Sequence, residues 1–198
     1  DTTNSSLVGR RRKQVNVLAS SMLTPGDIEA IKTWIEAFGL RPLVLPDIGD
    51  SLDGHLIDQD STPLTLGGTS RGEVATLGEA AATLVIGRSL NRAADLLKSR
   101  TGVPDFRFDH LLGLDACDAF TLVLTELSGQ PVTAGIERQR AQLQDAMVDT
   151  HFMTGFLRVG IAADPDLLVA LGQFLHGVGA EVVAAVASSR AEILADTG

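Results

Sequence analysis

The chain is poor in the residues that carry much of protein chemistry. It has one cysteine in 198 residues, Cys117, so an internal disulfide is impossible and the chain alone cannot hold a cysteine-ligated cluster. That usage fits a reducing, cytoplasmic setting. Tyrosine is absent and tryptophan occurs once, as Trp34, which argues against an aromatic platform for stacking bases. No apolar run approaches the roughly 20 residues of a membrane span. Residues 1–14 are polar and basic, unlike a secretory signal. Positive charge is also short: 16 Lys and Arg stand against 25 Asp and Glu, a formal net charge of −9. Such a surface repels phosphates, so neither nucleic acid nor membrane is an expected partner. The run Arg10-Arg11-Arg12-Lys13 is a local exception and reads as a solvated linker.

Motifs of catalysis are missing too. The histidines His55, His110, His151 and His176 form no HxH or HxxxH pair, so a zinc site has no support. No nucleophile elbow or dinucleotide fingerprint occurs. Val17–Met22 lacks the glycines that let a pyrophosphate approach the backbone. Gly67-Gly68-Thr69-Ser70 could form an anion nest, but it lacks the Lys and spacing of a P-loop, and Ser70 with Glu73 reads more simply as a capping box.

What is present is a unit that occurs twice. The first copy runs Val15–Ser20, then Thr24-Pro25-Gly26-Asp27, then Ile28, Ile31, Ile35 and Phe38 at helical spacing, Gly39, and Leu43-Val44-Leu45. The second runs Leu157–Ala163, Asp164-Pro165-Asp166, a helical stretch to Val178, Gly179, and Val182–Val186. Each reads as strand, capped turn, helix, glycine stop, strand, which is a βαβ unit with parallel strands. Thr24 is the expected N-cap with Pro25 in the first turn.

Between the copies, residues 46–70 read as a long loop and 71–79 as a short helix. Further elements are a strand Ala82–Ile86, a helix Asn91–Arg100, a weaker strand Arg107–Leu112 and a helix from Asp115 to Leu127. Residues 131–155 are helical and unusually polar, a pattern of surface or bridging helices. Residues 189–198 could begin one more helix. The alternation predicts a Rossmann-like, doubly wound parallel α/β domain over 14–130, preceded by a linker 1–13. A connecting helix over 131–156 and the first βαβ unit of a second such domain over 157–198 follow. Asp1 and Gly198 read as cuts in a longer protein.

Several segments resemble the nitrogenase molybdenum–iron protein α/β-subunit superfamily: Leu23-Thr24-Pro25-Gly26-Asp27, Leu52-Asp53-Gly54, Leu66-Gly67-Gly68-Thr69, Gly113-Leu114-Asp115, Glu126–Pro131, Arg138–Met147, Asp149-Thr150-His151 and Asp164-Pro165-Asp166. The likeness covers about Gln14 to Ala187 and points to the scaffold branch of that family. It implies a non-catalytic subunit that pairs with an E subunit in an α2β2 assembly and works with the nitrogenase iron protein. On that assembly an iron–sulfur precursor matures into the iron–molybdenum cofactor. It also implies that the cluster cysteine lies in a domain ahead of this region, that the precursor sits mainly on the E subunit, and that this stretch carries no catalytic or cofactor-binding residue. Cys117 matches no family cluster ligand and reads as a structural thiol. Two alternatives are a fragment of a catalytic β subunit or related reductase, and a small-molecule-binding α/β module using the carboxyl ends of its strands.

Asp145 and Asp149 stand four apart on the predicted long helix, so their carboxylates share a face. A hard cation would offset their repulsion. The resemblance implies such a cation site, completed by groups from another chain. The simpler reading is a solvated face, or pairing with Arg138 or Arg140.

Overall fold

The computed structural model describes residues 8–49, 67–191 and 194. Most of the expected 46–70 loop, the Leu52-Asp53-Gly54 motif and most of the possible helix after 189 lie outside those residues. Six strands form two parallel systems. Strands β1 (Arg11–Ala19), β2 (Arg41–Leu45), β3 (Ala80–Ile86) and β4 (Asp105–Phe108) make a four-stranded sheet in the order β2-β1-β3-β4. Strands β5 (Arg158–Ala163) and β6 (Glu181–Ala187) make a separate pair. β1 pairs in parallel with both β2 and β3, and β5 in parallel with β6. The chain leaves β1 toward β2 on one side and returns to β3 on the other. Right-handed crossovers then place helices on opposite faces of the sheet, the Rossmann-like, doubly wound arrangement predicted from the alternation.

The helices are α1 (Pro25–Glu36), α2 (Arg71–Val74), α3 (Asn91–Thr101), α4 (Leu114–Ser128), α5 (Ala134–Thr154) and α6 (Pro165–Gly177). Thr24 caps α1 through a full capping box with Asp27, and Ser70 caps α2 through another with Glu73. Each satisfies two amide donors that a helix start leaves open. Asp164 caps α6, accepting from the amides of Asp166 and Leu167 at 3.1 and 3.2 Å. Gly102 closes α3 in the left-handed region, with φ of 75°, where a side chain would be strained.

The described residues form two compact units, one of residues up to Ile86 with Leu90–Arg107, the other of Gly87–Ser89 with residues from Phe108 onward. In the first, β1 and β3 carry the core. Val15, Val17, Ala82, Leu84, Val85 and Ile86 are fully buried, as expected for strands covered on both faces. From α1, Ile28, Ile31, Ile35 and Phe38 are buried in the same interior. Four polar residues, Gln14, Asn16, Ser20 and Thr83, are buried with them. The Asn16 amide donates to the Leu77 carbonyl at 3.0 Å and the Thr83 hydroxyl at 3.2 Å. The Gln14 amide donates to the Thr76 hydroxyl at 3.1 Å. Together they tie the tight turn Leu77–Glu79 to β1.

The observed elements differ from the sequence reading mainly at their edges. β1 starts at Arg11 rather than Val15, because backbone pairing with β3 continues past the apolar run. The 71–79 helix divides into α2 and the short Leu77–Glu79 turn. β4 occupies Asp105–Phe108 rather than 107–112. There Asp105, whose side chain is 4% exposed, pairs with Lys98 at 2.6 Å and with Arg107 at 2.6 Å.

In the second unit, α4 buries Phe120 and Leu124, and Phe120 meets Phe108 edge-to-face with ring centroids 5.2 Å apart. By contrast α5 has no buried residue over its 21 positions. It is tied to α4 by Arg140, which grips Asp118 through two hydrogen bonds of 2.7 Å. Beyond its C-terminus, the second βαβ unit buries Ile161, Val169, Ala170, Val178 and Ala180.

Two tests follow from the first unit. Leu84→Ala should destabilise it by about 2–5 kcal/mol, whereas Leu96→Ala, at a side chain 51% exposed, should change stability by no more than about 0.5 kcal/mol; denaturant unfolding of both variants checks the contrast. Burial pushes the Asp105 carboxyl upward, but hydrogen bonds and charge from Lys98 and Arg107 outweigh it and hold the group below the usual carboxylate range. A depressed folded-state value stabilises above the unfolded value of about 3.9 and fades as pH falls through the folded one. Asp105→Asn should therefore lower the Tm at pH 7, and the difference from the parent should shrink below about pH 4.

Candidate functional site

The titratable residues singled out in the sequence do not converge. His110 sits with its Nε2 2.7 Å from Gln173 Oε1, and its Nδ1 accepts from the Leu112 amide at 3.1 Å. The ring links the segment before α4 to α6. His151 lies in the last turn of α5, against the Phe152 ring with centroids 6.2 Å apart. His176 lies in the last turn of α6, and His55 lies outside the described residues. Among the described residues, no three or more His, Cys, Asp or Glu are placed to hold a metal ion.

Cys117 sits in the first turns of α4, half-buried, and its thiol donates to the Leu111 carbonyl at 3.4 Å. Burial, and then the neighbouring charge of Asp118, push this thiol upward. Gly67 and Gly68 both take positive φ, and the Thr69 hydroxyl donates to the Val44 carbonyl. Ser70 is engaged by Glu73 at the start of the four-residue helix α2.

Asp145 and Asp149 occupy one exposed face of α5. Neither has an ion-pair partner among the described residues, since Arg140 turns instead to Asp118. The hydrogen bonds from Arg140 hold the Asp118 carboxyl below its usual range.

The same helix carries a feature that residue chemistry did not announce. Its C-terminal end and the residues just after it leave Val148, Phe152, Met153 and Phe156 between 63% and 88% exposed. In β6 of the same unit, Val183 and Val186 are 45% and 63% exposed. A groove of about 800 Å³ between α6 and β6 is lined by Leu168, Gln173, His176 and Val183, among others. Soluble monomers rarely leave so much apolar surface open, and such patches mark interfaces. Aromatic residues clustered within a polar helix were the available signal.

A buried carboxylate also escaped the sequence reading. Asp166, in the first turn of α6, is 3% exposed. It accepts from the Ser89 amide at 3.0 Å and from the Ser89 hydroxyl. In sequence it is one more acidic residue at a helix start, and nothing in the spacing points to Ser89.

Comparisons with known proteins agree with the motifs. Residues 5–197 match the family model for nitrogenase component 1 type oxidoreductases. The chain is 44% identical to the nitrogenase iron-molybdenum cofactor biosynthesis protein NifN of Bradyrhizobium diazoefficiens, over 93% of this chain and 39% of that protein. It is also 44% identical to NifN of Klebsiella pneumoniae, over 86% of this chain and 37% of that one. Against a solved structure of nitrogenase Cp1 at pH 6.5 the TM-score is 0.83 at 27% identity, covering 93% of this chain and 40% of that one. The chain thus spans about two fifths of the length of the curated relatives it matches. A single domain model matched over nearly the whole chain, and a fold shared with a nitrogenase, place it: the chain belongs to the nitrogenase component 1 type oxidoreductase family.

Proposed function

We propose that the chain is part of a non-catalytic subunit of the scaffold on which the iron–molybdenum cofactor is assembled. The observation that carries this reading is the contrast in likeness: 44% identity to proteins named for cofactor biosynthesis against 27% to a nitrogenase of the same fold. In this reading the maturing cluster is cargo, held mainly by the partner E subunit of an α2β2 assembly, and the nitrogenase iron protein serves it in the cytoplasm. The residues of this chain contribute shape and contact. The half-buried thiol of Cys117 and the open apolar surface around α5 and β6 support that division of labour. Among the described residues no helix is long and apolar enough to cross a membrane.

As parts of a longer chain, we propose residues 14–130 as one α/β domain, 131–156 as a connecting helix and 157–198 as the opening of another domain. In contact terms α4 groups with the later residues, so the proposed boundary at 130 follows topology. The exposed apolar faces of β6 support the last assignment, because a strand of this composition is normally covered on both sides.

The proposal extends to Asp145 and Asp149 as two oxygen ligands of a cation site, with the remaining ligands supplied by another chain. Two exposed carboxylates on one helix face fit a hard cation but cannot complete its shell of six to eight oxygens.

Two experiments test this reading. Full-length subunit co-purified with the E subunit should carry iron, whereas the subunit expressed alone should carry little; full iron loading without the partner would contradict the scaffold reading. Calorimetric titration of the assembled complex with calcium should give saturable heat that Asp149→Ala abolishes. Absence of heat, or heat unchanged in the variant, removes the cation site.

A further inference from the structure

The start of β1 combines a charge cluster with an unfinished sheet. Pairing with β2 begins at Gln14, opposite Arg41, but β1 itself begins at Arg11. Arg11, Arg12 and Lys13 therefore run past the end of β2, and no described strand pairs with them on that side. The opposite side is held: the Gly9 amide donates to the Ala80 carbonyl at 3.1 Å, and Arg11 is in register with Ala80. Between Arg11 and Val15 the register with β3 shifts, so that β1 advances from 11 to 15 while β3 advances from 80 to 82. This is a bulge, of the kind that re-aims side chains at a sheet rim.

A hollow of about 410 Å³ lies there, lined by Arg10, Arg11, Arg12, Lys13, Gln14 and Arg41. Arg41, the first residue of β2, lines it opposite the start of β1. Residues 10–13 are all exposed. Arg11 is paired with Glu79 at 2.8 Å and Arg41 with Glu73 at 3.0 Å. Arg10, Arg12 and Lys13 have no ion-pair partner among the described residues. In a chain of net charge −9, three unpartnered cations around an open strand edge form a strongly localised positive site.

We propose that this overhang is a docking edge for an extended, acidic segment of a partner protein. The segment adds as a short strand beside Arg11–Lys13, taking main-chain hydrogen bonds from the open edge. Its carboxylates lie against Arg10, Arg12 and Lys13. Both halves of the recognition are needed: the ladder fixes the extended conformation, and the cations select negative side chains. Nucleic acid is the weaker fit, because the rest of the acidic surface repels a polyanion that extends beyond the hollow.

The test is fluorescence anisotropy with the full chain and a fluorescein-labelled, end-capped peptide of alternating Glu and Val. Saturable binding is expected, weakened about tenfold in the triple variant Arg10→Gln, Arg12→Gln, Lys13→Gln, with unchanged circular dichroism confirming the fold. The same peptide with alternate amides N-methylated should also bind at least about tenfold more weakly, since the ladder is then blocked. No binding of the acidic peptide, equal binding of the N-methylated one, or tighter binding of a labelled single-stranded DNA 20-mer would overturn the proposal. The exposed side chains make misfolding of the triple variant a small risk; should it occur, the N-methylated peptide on the parent chain decides alone.

Discussion

Everything in the first unit depends on β1 being covered on all sides. It is flanked by β2 and β3 in parallel, and every residue from Gln14 to Ser20 is buried. Parallel neighbours cannot be reached by a tight turn, so each pairing obliges a crossover. The crossovers supply the covering layers: α1, whose Ile28, Ile31, Ile35 and Phe38 are buried, and α3, whose Ala94 joins Leu18 and Val85 in one apolar cluster. Gln14 and Asn16 enter this interior with their amides held by Thr76, Leu77 and Thr83.

The second βαβ unit obeys the same rule and meets a different outcome. β6 is as rich in small and branched apolar residues as β3, yet β3 is buried almost throughout while Glu181–Val186 is exposed. The difference lies in what surrounds the strand. The same contrast marks α5, which has no buried residue and ends in exposed Phe152 and Met153, with exposed Phe156 just beyond. Open apolar surface of this kind marks interfaces. This matches the proposed scaffold role, in which the chemistry belongs to the cargo and its partner subunit.

Much of the fold was legible because its signals are local. Thr24-Pro25-Gly26-Asp27, Ser70 to Glu73 and Asp164-Pro165-Asp166 start helices by satisfying their own first amides, and each does so in the structure. The strands of the duplicated unit announced themselves through apolar runs bounded by glycines. The basic run at 10–13 misled, since a strand's extent follows backbone pairing and β1 gains Arg11 from Ala80 across the sheet. Non-local partners stayed hidden for the same reason. Nothing in the sequence links Asp166 to Ser89 or Arg140 to Asp118, although Arg140 was weighed as a partner for Asp145 and Asp149. The exposure of Phe152 and Phe156 could not be read either, because composition says that a side chain is apolar and not whether something covers it.

The central claim is that this stretch of chain shapes an interface around a cluster without ligating it. Its single thiol makes that claim sharp. Replacing Cys117 by Ser in the full-length, partner-bound assembly, followed by iron analysis and electron paramagnetic resonance of the loaded complex, tests it directly. Iron content and the cluster signal should match the parent, with the change confined to a small loss of stability around α4. Loss of iron or an altered cluster signal would place a ligand within these residues and contradict the account.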